Sequence, residues 1–169
     1  MPLAVDVTDL ISYTSWQRGK WHALLRQHKD ALQSSAGPNG DGRFTTIGDL
    51  VKHIFSAEKR YVDRLSNRPL TDPTSIPNDD VEALFEFGRQ SREDLREFID
   101  SFPATEWDVT QEYTILNHKV LLTPRKIIVH VVLHEIRHWA QIATLLRVKG
   151  TRAEFQDFIF SPVFGDSHV

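Results

Sequence analysis

Four stretches of this chain repeat apolar residues at intervals of three and four, and each is bounded by proline, glycine or a capping residue. That period lines up one face of an α-helix, whereas a half-buried strand needs strict alternation, so the pattern predicts an all-α fold. The first stretch carries Leu10, Thr14, Gln17, Trp21, Leu24, Leu25, His28 and Leu32 before the breaker SSAGPNGDG, which predicts a long helix over 7–32. The second begins at Thr46, an N-cap with Asp49 three residues on. It sets Leu50, Ile54, Ala57, Tyr61 and Leu65 along one side and should end by about Asn67. After the proline-rich connection NRPLTDPTSIPND, the residues Val81, Leu84, Phe85, Gly88, Ser91, Leu95, Phe98, Ile99 and Phe102 predict a third helix. Thr123-Pro124 starts a fourth and Gly150 stops it. Between Ser101 and Thr123 the pattern changes. Val109, Tyr113, Ile115, Val120 and Leu122 flank Asn117-His118 and suit a short β-hairpin before the last helix. The tail holds Phe155, Phe158, Ile159, Phe160 and Phe164, too apolar for water, and should cover an end or side of the bundle, with only the last few residues loose. Four long helices with long crossovers make a four-helix bundle, an architecture that builds metal and cofactor sites from facing side chains.

With 169 residues the chain is expected to form one domain over 1–169. It has no cysteine, so a thiolate is excluded both as nucleophile and as metal ligand, and any metal must be held by His, Asp or Glu. The 20 Lys and Arg against 23 Asp and Glu, without a basic cluster, argue against a nucleic-acid binder. No apolar run reaches the roughly 18 residues of a membrane span, and the start has neither a basic nor an apolar targeting region, so no membrane is expected and a cytoplasmic location is the default.

The informative segment is HVVLHEIRHWAQI, which sets His130, His134 and His138 on one face of the fourth helix. All three cannot hold one ion, because the helical rise separates His130 from His138 by roughly 12 Å. Nitrogens bound to one zinc at about 2.0 to 2.1 Å can be at most roughly 4 Å apart. Either His130 with His134 or His134 with His138 is a good pair. The second helix supplies His53, one turn from Leu50 and one from Ala57, as a third ligand. Gly88 and Ser91, the smallest core-face residues of the third helix, are expected to leave room for a cavity beside the metal. His22, His28, His118 and His168 are single histidines and read as ordinary surface or partly buried residues.

LVKHIFSAEKRYVDRL and HEIRHWAQIATLLRVKG resemble the two specific segments of the DinB family of metal-binding four-helix bundles, and helix order, loop positions and length agree over nearly the whole chain. The resemblance implies that His53, His134 and His138 ligate a divalent metal, zinc or nickel. His130 is then a pocket residue. Where the family often has Arg-Gly after the last histidine this chain has Trp139-Ala140, a departure that bears on the substrate. Gln141, one turn beyond His138, is expected to orient a ligand or the second nitrogen of a histidine, and Tyr13 and Trp16 to line the pocket from the first helix, with Trp21 either beside them or, the favoured reading, packed in the core. The resemblance further implies a small-molecule substrate, in some members a low-molecular-weight thiol, and a homodimer. Here the thiol would come from outside the protein.

The same peptide reads HExxH over His134–His138, the zinc-protease pattern with Glu135 as general base. A metzincin would need Gly at the position of Gln141 and His at that of Thr144. A protease with a distant carboxylate ligand would need Glu154. The sequence thus favours a metal-dependent hydrolase or thiol transferase, with a non-catalytic metal-binding or sensing module as the alternative, then a purely structural bundle, and a protease last.

Overall fold

The computed structural model of the protein describes residues 4–37 and 43–165. Within them run the helices α1 (Val7–Gln27), α2 (Ile47–Leu65), α3 (Val81–Ser101) and α4 (Pro124–Val148), with the strands β1 (Gln111–Ile115) and β2 (His118–Leu122) paired as an antiparallel hairpin just before α4. The all-α bundle and its hairpin are as the sequence indicates. His168, the end of the tail and part of the SSAGPNGDG breaker lie outside the described residues.

Each helix starts where a side chain can satisfy its free N–H groups. Asp6 and Asp9 form a reciprocal capping box on α1, and Thr46 with Asp49 does the same on α2. Asp80 accepts from Glu82 and Ala83 at the start of α3, and Thr123 precedes Pro124 at the start of α4. Gly150 ends α4 at φ 86, a left-handed conformation that glycine adopts without a Cβ penalty.

Helix α1 is shorter than its periodicity suggests. His28 leaves the helical region at φ −124, ψ 59, and the chain continues as a 3-10 turn over Lys29–Gln33. The turn packs against α2 and buries Ala31 and Leu32 there. Leu32 therefore belongs to the core as expected, but by a change of chain direction that periodicity does not reveal.

Helix α4 packs between α1 and α2, and α3 closes the bundle against both of those. The apolar interior falls into two clusters. One surrounds Trp21, Phe55, Phe85 and Trp139; the other surrounds Ile11, Val62, Leu95 and Val132. Between them Arg18, Glu58, Arg92 and Glu135, one from each helix, form a buried ionic group. Arg18 donates to Glu135 Oε1 at 2.6 Å and to Glu58 Oε2 at 2.9 Å, Arg92 also bonds both carboxylates, and Ser91 Oγ donates to Glu58 Oε1 at 2.8 Å. Two cations and two anions make the group neutral, which is how a bundle core tolerates ions. Burial alone would lower the affinity of the Arg18 guanidinium for its proton, but Glu135 and Glu58 outweigh it and raise its pKa.

After α4 the chain turns back along the seam of α1 and α4. Lys20 meets Glu154 at 3.1 Å, Tyr13 Oη donates to the Gln156 carbonyl at 2.7 Å, and Phe158 packs edge-on to Tyr13. The tail thus covers one side of the bundle, but Phe155, Ile159 and Phe164 stay exposed.

Candidate metal centre

His53 on α2 and His134 and His138 on α4 point into the seam between those helices, and one ring nitrogen from each lies within 4.8 Å of the others. Nε2 of His134 is 3.0 Å from Nε2 of His53 and 3.1 Å from Nε2 of His138. Nitrogens around a tetrahedral ion at about 2.0 to 2.1 Å are separated by roughly 3.3 Å, close to the two His134 spacings, while the set as a whole spans 4.8 Å and would draw in around an ion. The i,i+4 placement on α4 brings two rings together, and the packing of α2 on α4 brings the third.

The proton count favours a cation. His138 Nδ1 donates to Gln141 Oε1 at 2.9 Å, so in the neutral ring Nε2 keeps its lone pair. Arg137 Nη2 lies 3.2 Å from that Nε2 and can only donate. His134 carries at most one proton on Nε2, which cannot serve both of its close contacts as hydrogen bonds. A cation facing the three Nε2 atoms would satisfy them together, taking the His138 lone pair that the Arg137 guanidinium otherwise meets. Burial first, then the neighbouring His138, His53 and His130, lower the His134 pKa to about 3, so the ring is neutral and ready to donate its lone pair at ordinary pH.

His130 is not part of the converging set. It is largely exposed, one turn before His134, with its ring 5.6 Å from that of His134 and 5.3 Å from that of Tyr61, and partial desolvation by these neighbours, then the Arg137 charge, lowers its pKa. Phe44 lies against the other side of the centre, its ring 4.5 Å from that of His53. Sequence reasoning singled out neither Phe44 nor Arg137. Position i+3 from His134 was the available signal for Arg137, since it shares that flank of the helix.

Four expected pocket residues lie elsewhere. Trp139 is buried in the core, stacked on Trp21 at 5.2 Å, and its Nε1 donates to Glu135 at 3.0 Å, because one residue past His138 is about 100° further round the helix. Tyr13 and Trp16 line a groove between α1, α4 and the tail, on the other side of α4 from the imidazoles. Gly88 leaves no cavity beside the centre, since a Cβ there would lie 2.8 Å from the Phe55 ring, which fills the space. Glu135 is only 2% exposed and holds Arg18, Arg92 and Trp139, so it is a core anion and not a base at the metal. Glu154 pairs with Lys20 on the far side of α4, which removes the third ligand a protease would need.

No helix among the described residues is long and apolar enough to cross a membrane. A comparison with curated proteins finds no match to the chain. The model of the DinB family matches residues 1–162, and with a three-histidine group at the positions where such a bundle can hold an ion, the chain belongs to the DinB family.

Proposed function

We propose that His53, His134 and His138 hold one divalent cation, zinc or nickel, and that the protein is a metal-dependent enzyme acting on a small molecule, as a hydrolase or a thiol S-transferase. The observation that supports this most directly is the convergence of three Nε2 nitrogens with the tautomer of His138 set by Gln141. Three neutral imidazoles leave the ion its full charge and a fourth position open, the arrangement of catalytic sites. When bound, the ion would supply Lewis acidity, lowering the pKa of a water or thiol in that position. The chain's own residues bind and orient: Gln141 fixes the His138 ring, and Phe44 lays apolar surface against His53. With no cysteine in the chain, a reacting thiol is a co-substrate.

Elemental analysis of untagged protein tests the site. One equivalent of metal per chain is expected, falling below about a tenth in His53→Ala and His134→Ala, because two remaining imidazoles bind far more weakly. Full occupancy in both variants would overturn the three-histidine site. Incubation of the metal-loaded protein with low-molecular-weight thiols and an electrophile, or with small esters and amides, then tests the chemistry. Turnover at background throughout would return the centre to the second reading, a non-catalytic metal-binding module.

A further inference from the structure

The groove on the opposite side of α4 from the imidazoles has a volume of 1190 Å³. Its α4 wall, from Ile136 to Arg147, is about 16 Å long, and Ala140 lies roughly 200° round the helix from His138, so the helix itself separates the groove from the histidines. Trp16, Phe155 and Phe160 supply aromatic surface, and Ala140, Ala143 and Ala153 keep the walls low. Large concave sites with aromatic walls are where small molecules bind, and this one, whose rim also carries Lys20, Arg147, Arg152, Glu154 and Asp157, slightly exceeds the usual upper size of roughly 1,000 Å³.

Two further features mark the groove, a polar layer sealed beneath its floor and an unequal distribution of charge along it. Gln17 and Trp21 line the groove, are almost fully buried, and each carries a polar atom with no hydrogen-bond partner, Oε1 of Gln17 and Nε1 of Trp21. Gln17 already spends its amide N–H groups on Tyr13 Oη and the Gln156 carbonyl, and the Trp139 indole that stacks on Trp21 is satisfied by Glu135, so the two unpaired atoms stand out. The charges are also unequal. Lys20 is neutralised by Glu154, whereas Arg147 and Arg152 line the groove with no ion pair among the described residues. The tail runs from Arg152 past Glu154 at Lys20 to Gln156 at Tyr13. The arginines therefore mark one end, and Asp157, which helps raise the Tyr13 pKa after burial, marks the other.

We propose that this groove is a second small-molecule site, distinct from the histidine centre, for a planar aromatic anion. The ring system would lie between Trp16 and the tail aromatics, and the anionic group would face Arg147 and Arg152.

Calorimetric titration with anilinonaphthalene sulfonate, an aromatic ring system bearing one sulfonate, tests this beside the neutral N-phenylnaphthylamine. One sulfonate is expected per chain. Its affinity should fall about tenfold or more in Arg147→Glu/Arg152→Glu, as loss of charge-assisted hydrogen bonds implies. It should also fall in Trp16→Ala and be unchanged in His134→Ala, and the neutral amine should bind more weakly to the wild type. Circular dichroism and melting establish that each variant is folded. No binding, equal binding by the double arginine variant, or sensitivity to His134→Ala would overturn the proposal. So would sedimentation showing a dimer that Trp16→Glu separates in a protein that ignores the probe, which would assign the groove to a second copy of the chain.

Discussion

Nδ1 of His138 donates to Oε1 of Gln141 across one turn of α4 at 2.9 Å, and this contact commits Nε2 of the same ring to accept. It fixes both the tautomer and the angle of the imidazole. Outer partners of this kind are worth about 10- to 100-fold in metal affinity. Gln141→Ala is therefore expected to weaken zinc binding by about that factor without altering the fold, measured by competition with a chromogenic chelator, while Gln141→Glu, which keeps an acceptor, should retain most of it. An unchanged affinity in the alanine variant would mean that the hydrogen bond does not act on the metal.

Glu135 stands beside His134 in sequence but serves the core. Glu135→Gln would leave Arg18 and Arg92 buried with only Glu58 to neutralise them. Removing one partner of a buried ion network costs about 3–5 kcal/mol, so urea unfolding should shift by that amount while folded protein still binds one metal per chain. A variant of unchanged stability that lost its metal would instead place Glu135 at the centre.

Asp49 gives the fold an acid limit. Burial pushes its carboxyl upward, but hydrogen bonds from Asn78, Thr45 and Thr46 hold it down to about 2, below its ordinary value of 3.8. A depressed folded-state pKa stabilises at pH above the unfolded value, and that contribution is lost as pH falls from about 4 through about 2. Asp49→Ala should lower stability at neutral pH by about 1 kcal/mol, the worth of a helix cap, and the difference from wild type should shrink across that acid window in melting curves. A difference independent of pH would contradict the linkage.

Two glycines sit where a methyl group has no room. At Gly48 a Cβ would come 1.8 Å from the Asn78 carbonyl oxygen, which is backbone, and at Gly88 it would come 2.8 Å from the Phe55 ring. Gly48→Ala should cost about 3 kcal/mol and Gly88→Ala about 1 kcal/mol, since overpacking at Gly88 is partly offset by the better helix propensity of alanine. Phe55→Leu should reduce the penalty at Gly88 alone, which a double-mutant cycle measures. The reverse order of the two glycine variants in thermal melting would show that the Asn78 loop yields more easily than the core ring.

Much of the bundle is local and was legible in the residues themselves. Hydrogen bonds along a helix join neighbours in sequence, so the four-residue spacing of His134 and His138, the capping pair Thr46 and Asp49, the Thr123-Pro124 start and the Gly150 stop carry their structural meaning within a few positions. His53 was also readable as core-facing, although its distance from His134 depends on how α2 meets α4. The surroundings of the site were not legible. A residue's neighbours across a bundle depend on how each helix is rotated and which helix lies beside it, and both are decided by packing the whole interior at once. That packing turned Trp139 onto Trp21, drew Glu135 to Arg18 and Arg92, and filled the space beside Gly88 with Phe55. It also put Tyr13 and Trp16 in a groove of their own. The sequence by itself determined the helices and the paired histidines, because backbone hydrogen bonding and helical period are short-range. Only the tertiary structure decided which side chains share a site, because those contacts join residues far apart in the chain.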